Sequence, residues 1–433
     1  MADSATTPNW DVRPLAAALD RINGIRGAGP TGSGISRVRL THLKDLMDGT
    51  YPGRGGLRLF SSPGRTEIGG NHTDHQGGTV LCAAVDMDIL ALVRPLDAPV
   101  VSLASEGFGR EDSVDLRQSG RQERESGHSA SLIRGVAAWF SGHGYRTGGF
   151  EAFTTSRVPR GAGLSSSAAF EMLVAQIFNV LYNDGRIPPA ERACAGQYAE
   201  NVYFGKPCGL MDQMASALGG VTMIDFNDPD HPLAMPVDPA GTLDGIVPVV
   251  TDTGGSHAGL TREYASIPLE MGTVARVFCA DRLSDVDSGA FYEMLPRLLG
   301  TLSDRALLRA MHYFDETERA RAEAAALASG DTERFLRLVS ESGRSSWTLL
   351  QNVSTGRQPD GQRLAIGLSL AARLVGDGGA VRVHGGGFAG TIQCFVPDAR
   401  LPSYLSGMDA VFGQDTTTVL GFRPEGACEV VPL

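Results

Sequence analysis

Residues 64–80 read GRTEIGGNHTDHQGGTV, a polar stretch that contains five glycines. It lacks the alternation of apolar and polar residues that marks a half-buried strand. Glycines permit tight backbone turns, and polar loops carried on a rigid scaffold commonly bind ligands. The stretch therefore predicts a loop wrapped around a small polyhydroxylated ligand, and a solvated surface loop is the alternative.

The composition is that of an ordinary globular protein. Of 433 residues, 42% are hydrophobic and 20% are charged, and the net charge is −11. This length favours more than one domain, and we predict an N-terminal domain over residues 1–235 and a C-terminal α+β domain over residues 236–433. The negative charge argues against nucleic acid or an anionic membrane surface as a partner.

The chain shows no targeting or membrane signal. Its first residues lack the basic and apolar segments of a signal peptide, and no apolar run is long enough to span a bilayer. The six cysteines are scattered without a CxxC pair. We therefore expect reduced thiols and a cytoplasmic location, rather than disulfides or a zinc site. Only two lysines occur, Lys44 and Lys206, which we interpret as compositional bias.

Periodicity and turn residues give a coarse element map. Helical spacing predicts helices at residues 11–22, 168–181 and 304–350. Apolar and alternating runs predict strands at residues 57–60 and 80–93, and a strand–glycine–strand unit at residues 380–396. Loops are expected at residues 26–37 and at the proline-rich residues 229–241, where the chain would cross to the second domain.

A second motif, PRGAGLSSSAAFE at residues 159–171, runs directly into the second predicted helix. A glycine-rich turn at a helix N-terminus presents free backbone N–H groups and the positive end of the helix dipole, which together bind phosphate. Capping the helix is the alternative role of the serines. Because capping needs one serine and three are present, phosphate binding is favoured.

A third motif, GKPCGLMDQMASALGG at residues 205–220, places Asp212 among glycines and apolar residues. An acid in such surroundings needs a partner, and Arg65 is the expected one. A helix N-cap is the alternative role for Asp212. A final glycine motif at residues 384–390 predicts a tight turn that a ligand or another loop approaches closely.

These motifs, in this order, resemble the superfamily of galactokinase, homoserine kinase, mevalonate kinase and phosphomevalonate kinase, and most closely the galactokinase family. The galactokinase-like signature stands here as Gly64, Arg65, Gly70, Asn71, His72, Thr73 and Asp74. GAGLSSSAA is similar to the family's phosphate loop, and CGLMDQ is similar to its catalytic segment. Weaker similarity covers residues 257–264, 311–319 and 342–346. The resemblance implies a two-domain α+β fold with the active site in the cleft between the domains.

The resemblance also implies roles for individual residues. Asp212 would face the anomeric hydroxyl while Arg65 stabilises its charge, and Ser166 and Glu200 would bind Mg²⁺. The sugar would be bound by residues from three segments: Asn71, His72, Asp74, Gly209 and Tyr264. The phosphates of ATP would be held by the loop that precedes the helix: Gly161, Gly163, Leu164, Ser165, Ser166, Ser167 and Ala168.

The sequence thus predicts a kinase that uses ATP and Mg²⁺ to phosphorylate the C1 hydroxyl of galactose, as a monomer or weak homo-oligomer. Asn71 departs from the family, which has a glutamate facing the hydroxymethyl end of the sugar, and we expect the Asn71 amide to face C6. Ala389 and Thr391 also depart from the family's glycine and cysteine. DHQGGTV at residues 74–80 resembles galacturonokinases, so galacturonate or another C6-modified galactose is the alternative acceptor. A catalytically silent sugar sensor is a further alternative.

Overall fold

The computed structural model describes residues 11–24, 32–53, 55–159, 161, 163–228, 231–239, 241–255, 260–355 and 360–432. Its strands are β1 Arg58–Gly69, β2 Thr79–Leu96, β3 Val100–Ser105, β4 Asp112–Asp115, β5 Gly149–Ser156, β6 Val221–Asp225, β7 Leu233–Val237, β8 Ile246–Asp252, β9 Ala380–Val383, β10 Thr391–Pro397, β11 Thr417–Val419 and β12 Cys428–Glu429. Its helices are α1 Val12–Ile22, α2 Gly32–Thr50, α3 Ser129–Gly142, α4 Ser166–Tyr182, α5 Pro189–Tyr198, α6 Met211–Leu218, α7 Thr261–Val277, α8 Ser288–Leu298, α9 Asp304–Ser329, α10 Thr332–Ser345, α11 Arg363–Val375 and α12 Leu401–Phe412. A π-helical turn, Ser346–Leu350, follows α10.

Within the described residues the strands form two sheets. The larger one has the order β12-β1-β2-β5-β3-β4, and β6 pairs with both β2 and β7. All of its pairs are antiparallel except the parallel pair of β3 and β5. The smaller sheet is antiparallel, with the order β11-β8-β10-β9. This mixture of helices with two sheets confirms the predicted α+β class.

Strand β2 shows why the larger sheet is covered on both faces. Side chains alternate between the two faces of a strand, and here both sets are apolar. Ile89, Ala91 and Val93 belong to the core formed with α3, α4, α5 and α6. Leu90 and Leu92 belong to a separate core formed with α1 and α2. The near-continuous apolar run in the sequence therefore becomes one strand sandwiched between two helical layers.

Two helices in the C-terminal half connect the sheets. Leu327 of α9 and Phe335 of α10 share a buried cluster with Ile68 of β1, Leu81 of β2 and Phe395 of β10. On the smaller sheet a further core contains residues from β8, β10, α11 and α12. The packing of α9 and α10 brings the end of β1 next to the smaller sheet, and this is where the polar motif of residues 64–80 lies.

Several predicted elements are confirmed and others are wrong. The helices at residues 11–22 and 168–181 and the strand–glycine–strand unit are confirmed by α1, α4, β9 and β10. The loop at residues 26–37 is wrong from residue 32 onward, where α2 begins, and residues 25–31 lie outside the described part. Strand β1 continues to Gly69, so the first part of the polar motif is strand rather than loop.

The proline-rich residues 229–241 also contain a strand that we did not predict. Strand β7 pairs with β6 at the margin of the larger sheet. Proline is tolerated in such an edge strand because the backbone N–H groups on its outer side need no partner strand. Strand β12, near the C-terminus, returns to pair with β1 of the larger sheet. The division of the chain at residue 235 stays a prediction.

Two further expectations concern membranes and cysteines. Among the described residues, no helix combines the length and the apolar character that crossing a bilayer requires. All six cysteines are free, which agrees with the expectation of reduced thiols.

Candidate active site

Arg65 and Asp212 form a two-pronged ion pair where β1 meets α6. Arg65 Nε donates to Asp212 Oδ1 at 2.7 Å, and Arg65 Nη2 lies 2.6 Å from Oδ2. The Arg65 side chain is 6% exposed and that of Asp212 is 30% exposed, so the carboxylate remains accessible while the guanidinium is enclosed. A bidentate pair of this kind fixes the orientation of the carboxylate. The predicted partnership of the two residues is confirmed.

Asp212 lies in the first turn of α6, whose N-cap is Leu210, so the alternative role as a helix cap is wrong. Ser165 Oγ donates a further hydrogen bond to Asp212 Oδ2 at 2.5 Å. Burial alone would raise the pKa of Asp212, but the charge of Arg65 and the hydrogen bonds from Ser165 and Arg65 outweigh it and lower the pKa below its usual value. The carboxylate is therefore ionised at neutral pH.

The loop before α4 is fastened to β1. Arg65 N donates to Leu164 O at 3.1 Å, and Arg65 Nη1 donates to Gly163 O at 2.5 Å. Gly163 has a φ of +70°, and a Cβ there would lie 2.5 Å from Thr391 Oγ1 and 2.7 Å from His384 Nδ1. Only glycine fits this approach of the loop to β10 without displacing its neighbours.

The serine run does not cap the helix. Ser165 is the N-cap of α4, but its φ is 53° and its side chain makes no capping hydrogen bond. Its hydroxyl binds Asp212, and Ser167 Oγ donates to Glu200 Oε1 at 3.3 Å. Ser166 Oγ makes no hydrogen bond to any residue that the structure describes. The capping alternative is therefore wrong for this run, and the hydroxyl of Ser166 is available to a ligand.

A second polar cluster surrounds Glu200. Lys206 Nζ lies 2.9 Å from Glu200 Oε1, and Gln213 Nε2 donates to Glu200 Oε2 at 3.1 Å and to Glu171 Oε2 at 2.9 Å. Burial, together with the charge of Glu200, raises the pKa of Glu171 well above its usual value. Glu171 Oε1 and Gln213 Oε1 are buried, and neither has a hydrogen-bond partner in the part of the chain that the structure describes. The cluster thus holds oxygen atoms that the protein itself leaves unsatisfied.

His72 and Asp74 lie in the turn that joins β1 to β2. His72 has a φ of +59°, and its Nε2 lies 3.0 Å from Gly386 O. Burial lowers the pKa of His72, so the ring is neutral and donates to that carbonyl. A Cβ on Gly209 would lie 1.8 Å from Asp74 Oδ2, so the backbone of the third motif packs directly against this carboxylate.

The Asp74 carboxylate has an unusual protonation equilibrium. Burial, with a smaller contribution from the charge of Asp212, raises the pKa of Asp74 to about 6 against the opposing hydrogen bond from the backbone N–H of His75. That N–H donates to Asp74 Oδ1 at 2.9 Å. The influence of Asp212 places the two carboxylates in one electrostatic site.

The glycine motif at residues 384–390 contacts two of the predicted sugar-binding residues, His72 and Tyr264. Tyr264 Oη donates to Gly387 O at 3.0 Å, and its ring packs edge-on against Phe388 at 5.5 Å between centroids. A Cβ on Gly386 would lie 2.5 Å from the Tyr264 ring. The predicted close approach at this motif is confirmed. Residues 257–259, the first part of the weaker similarity at 257–264, lie outside the described part.

Asn71 is 1% exposed, and its amide is fully occupied by the protein. Its Nδ2 donates to Glu67 Oε1 and to Gly385 O, each at 2.9 Å. Its Oδ1 accepts from Asn352 Nδ2 at 2.8 Å and from Ser346 Oγ at 3.5 Å. Two donors and two acceptor positions are all that an amide has. These contacts contradict the expectation that the Asn71 amide faces C6 of the sugar.

The comparisons with known proteins agree with this geometry. The family model for the GHMP kinases N terminal domain matches residues 131–220, which include the serine run and Asp212. The model for the galactokinase galactose-binding signature matches residues 50–95. The chain is 28% identical to a galactokinase of Clostridium tetani over 396 residues, which cover 90% of this chain and 95% of that protein.

The chain is therefore similar to galactokinases over most of its length. Its fold is that of Lactococcus lactis galactokinase complexed with galactose, with a TM-score of 0.77 at 22% identity over 91% of this chain and all of that one. Methanococcus jannaschii mevalonate kinase shares the fold more distantly, with a TM-score of 0.59 at 14% identity, over 86% of this chain and 99% of that one.

Lys206 is a residue of this site that the sequence alone did not predict. Its ammonium pairs with Glu200, and nearby Glu200 and Asp212 raise its pKa although burial opposes them. The signal was present, because Lys206 is one of two lysines and lies inside the third motif. The interpretation of the scarce lysines as compositional bias is therefore wrong for Lys206, whose ammonium takes part in the polar cluster around Glu200.

Proposed function

We propose that this protein is a galactokinase that transfers the γ-phosphoryl group of ATP to the C1 hydroxyl of galactose. In this reaction the C1 oxygen forms a bond to phosphorus while the bond to the bridging oxygen of ADP breaks, and the hydroxyl proton is lost. The observation that carries the proposal is the Arg65–Asp212–Ser165 arrangement. The carboxylate is accessible and oriented, and it lies beside the loop for which we propose phosphate binding, which supports phosphoryl transfer to a hydroxyl.

Asp212 is proposed to accept a hydrogen bond from the C1 hydroxyl and so to orient it, and its charge favours loss of the proton during transfer. Its lowered pKa makes it a weak base, so its main contribution is orientation and electrostatic stabilisation rather than full proton removal beforehand. Arg65 keeps the carboxylate ionised and prevents it from rotating. His72, Asp74, Gly209 and Tyr264 are proposed to shape the sugar pocket.

The phosphate loop, residues 161–168, is proposed to hold ATP. Ser166 supplies a hydroxyl with no partner among the described residues, and the chain turns into α4 there with free N–H groups. The described residues hold no cluster of three or more histidine, cysteine or acidic side chains suited to a metal. Mg²⁺ commonly uses one or two protein oxygens together with phosphate oxygens, which fits Ser166 and Glu200 as donors. When bound, it would neutralise charge on the phosphates.

A cytoplasmic location and a monomeric or weakly oligomeric state complete the proposal, and the free cysteines support the first of these. Galacturonate remains the alternative acceptor only because residues 74–80 resemble galacturonokinases. The Asn71 amide does not support it, since that amide is hydrogen-bonded within the protein and is not available to contact the C6 group of a sugar. A silent sugar sensor is disfavoured because Arg65, the serine run and Asp212 are all present and assembled.

The direct test is a coupled assay of ADP release with galactose, galacturonate, glucose and no sugar, followed by ³¹P NMR of the product. We expect turnover with galactose and a phosphorus signal coupled to the anomeric proton. Turnover with galacturonate but not galactose would overturn the choice of acceptor. Binding of both ligands without ADP release would favour the sensor instead.

A further inference from the structure

A cavity of about 510 Å³ lies between α7, α9 and the π-helical turn at Ser346–Leu350. The residues that matter for its chemistry are Arg262, Arg305, Arg309, Trp347, Gln351 and Phe388. None of these belongs to the set proposed above to contact galactose or ATP. Small-molecule sites commonly have volumes of about 300–1,000 Å³, so the cavity is large enough to hold a metabolite.

The cavity carries an excess of positive charge. Its described wall contains three arginines, Arg262, Arg305 and Arg309, and one carboxylate, Glu263. Arg305 and Arg309 share Glu270, which is not a wall residue, with N···O distances of 2.5 Å and 3.0 Å. Arg262 is exposed and makes no hydrogen bond or ion pair with a described residue. Among the described residues, the three guanidinium groups are therefore balanced by two carboxylates, Glu263 and Glu270, which leaves an excess of one positive charge.

Arg309 is held ready to donate. It is 1% exposed, its Nε donates to Leu350 O at 3.1 Å, and its Nη1 donates to Ser266 Oγ at 2.9 Å. Its Nη2 has no partner among the described residues and is not one of the fully enclosed orphan atoms. A guanidinium fixed in this way presents a free N–H edge at little further entropic cost, which suits an oxyanion.

Trp347 adds an apolar surface beside these charges. Trp347 lines the cavity and its side chain is 43% exposed, so its indole ring is accessible to a bound ligand. Such a ring provides a rigid, amphipathic contact surface, and the C–H face of a sugar ring packs well against it. The cavity therefore combines a platform for a sugar ring with donors for an anionic group.

We propose that this cavity is a second small-molecule site that binds a sugar phosphate, with the phosphate at Arg262 and Arg309 and the sugar ring against Trp347. A phosphate monoester carries about −1.5 to −2 charges and three acceptor oxygens. It can therefore accept hydrogen bonds from two separate guanidinium groups more readily than a ligand with a single carboxylate can. Inorganic phosphate would use the arginines alone, and a neutral sugar would use the indole alone, so both should bind more weakly.

The walls of this cavity are bonded to the residues that frame the sugar pocket. Phe388 N donates to Asn352 O, the residue next to Gln351. Asn352 Nδ2 in turn donates to Asn71 Oδ1 at 2.8 Å and to Gly386 O at 3.3 Å, the same carbonyl that His72 contacts. Occupancy of the cavity should therefore change the KM for the sugar more than kcat.

The product of the proposed reaction is itself a sugar phosphate, and galactose 1-phosphate is the first probe. This choice of probe rests on the proposed function, whereas the preference for phosphate does not. The full-length protein is saturated with galactose and a non-hydrolysable ATP analogue with Mg²⁺ to occupy the cleft. Galactose 1-phosphate, inorganic phosphate and galactose are then titrated by calorimetry, and indole fluorescence follows the same titrations.

We expect galactose 1-phosphate to bind one further site per chain, at least about tenfold more tightly than inorganic phosphate. Arg262→Gln should weaken this binding about tenfold, and Trp347→Phe should remove the fluorescence change. Arg337→Gln removes an exposed arginine from the outer face of α10 and serves as the charge-matched control, which should bind normally. Because Arg262 has no described partner, its substitution should leave the thermal midpoint unchanged.

Absence of a further binding event, or binding that Arg262→Gln and Arg337→Gln affect equally, would overturn the proposal. Equal affinity for inorganic phosphate and galactose 1-phosphate would overturn the role of Trp347. The test of this second site can be distinguished from the test of the proposed function. Turnover of galactose without a second binding event would contradict only the second site. Binding of galactose 1-phosphate at the cavity, by a protein that does not phosphorylate galactose, would contradict only the proposed function.

Discussion

Asp212 is held from two directions, by the guanidinium of Arg65 and by the hydroxyl of Ser165, while part of its carboxylate stays exposed. Asp212→Asn keeps the shape of the side chain and removes its charge. We predict that kcat falls by at least about two orders of magnitude while the affinity for ATP stays within about twofold. Steady-state kinetics and a nucleotide-binding titration measure the two quantities. Near-normal kcat in Asp212→Asn would show that the charge is not used.

Asp74 gives a pH-dependent prediction. Its pKa of about 6 lies above the unfolded value, so the carboxylate is protonated below about pH 6 and ionised above it. An ionised carboxylate accepts hydrogen bonds from sugar hydroxyls better than a protonated one does. We predict that kcat/KM for galactose falls as the pH is lowered through about 6, and that Asp74→Asn removes this step. A wild-type profile that is flat from pH 5 to 8 would contradict the assignment.

The same carboxylate should lower stability at neutral pH. Because its folded pKa is raised, the stabilising contribution is present below the unfolded pKa and is lost as the pH rises through about 6. In the absence of sugar, Asp74→Asn should therefore raise the thermal midpoint at pH 7.5 by about 2 °C, and by less than about half of that at pH 4.5. This readout separates a role of the charge from a general loss of structure.

Helix α4 illustrates at the level of an element what the sequence can and cannot predict. Its apolar periodicity predicts the helix, and the glycines before it predict a turn, because both depend on local sequence alone. The use of the three serines could not be predicted, because the partners of Ser165 and Ser167 are Asp212 and Glu200, which lie far away in the chain. Strand β7 was missed for a similar reason, since its pairing with β6 overrides a proline-rich local sequence.

Ser166 is the first residue of α4 and tests whether the serine run binds a metal. We predict that Ser166→Ala raises the Mg²⁺ concentration at half-maximal activity several-fold. The thermal midpoint should not fall, since alanine is a good helix former and no capping bond is lost. Ser288→Ala, at the equivalent first position of α8, is the control for the change of residue type. A lower midpoint with normal Mg²⁺ dependence would favour a structural role.

The phosphate loop offers a matched pair of glycines. Gly161 and Gly163 both have positive φ, +75° and +70°, so alanine strains the backbone similarly at both. A Cβ at Gly161 meets nothing within 4 Å, whereas one at Gly163 would collide with Thr391 and His384. Gly163→Ala should therefore lower kcat/KM for ATP at least about tenfold more than Gly161→Ala does. Similar losses in both variants would show that backbone strain, rather than the contact with β10, is decisive.

At the scale of the whole molecule, the site depends on contacts between distant parts of the chain. The predicted pair Arg65–Asp212 could be inferred because an isolated acid in an apolar segment needs a partner and the motifs contain an obvious one. The network around Asn71 could not be inferred, since it unites Glu67, Ser346, Asn352 and Gly385. A family glutamate replaced by asparagine suggested a change in ligand recognition, and the fold instead uses the amide as an internal crosslink.

That crosslink changes what Asn71→Glu is expected to do. A glutamate there would be buried next to Glu67, whose Oε1 now accepts a hydrogen bond from the Asn71 amide at 2.9 Å. An uncompensated buried charge costs about 3–5 kcal/mol, so the variant should lose several degrees of thermal midpoint. Activity should fall with galactose and galacturonate alike, and the ratio of their kcat/KM values should change by less than about threefold. Asn71→Gln, which keeps the amide, controls for side-chain length. If Asn71→Glu instead keeps its thermal midpoint and selectively loses activity on galacturonate, the side chain reads C6 after all.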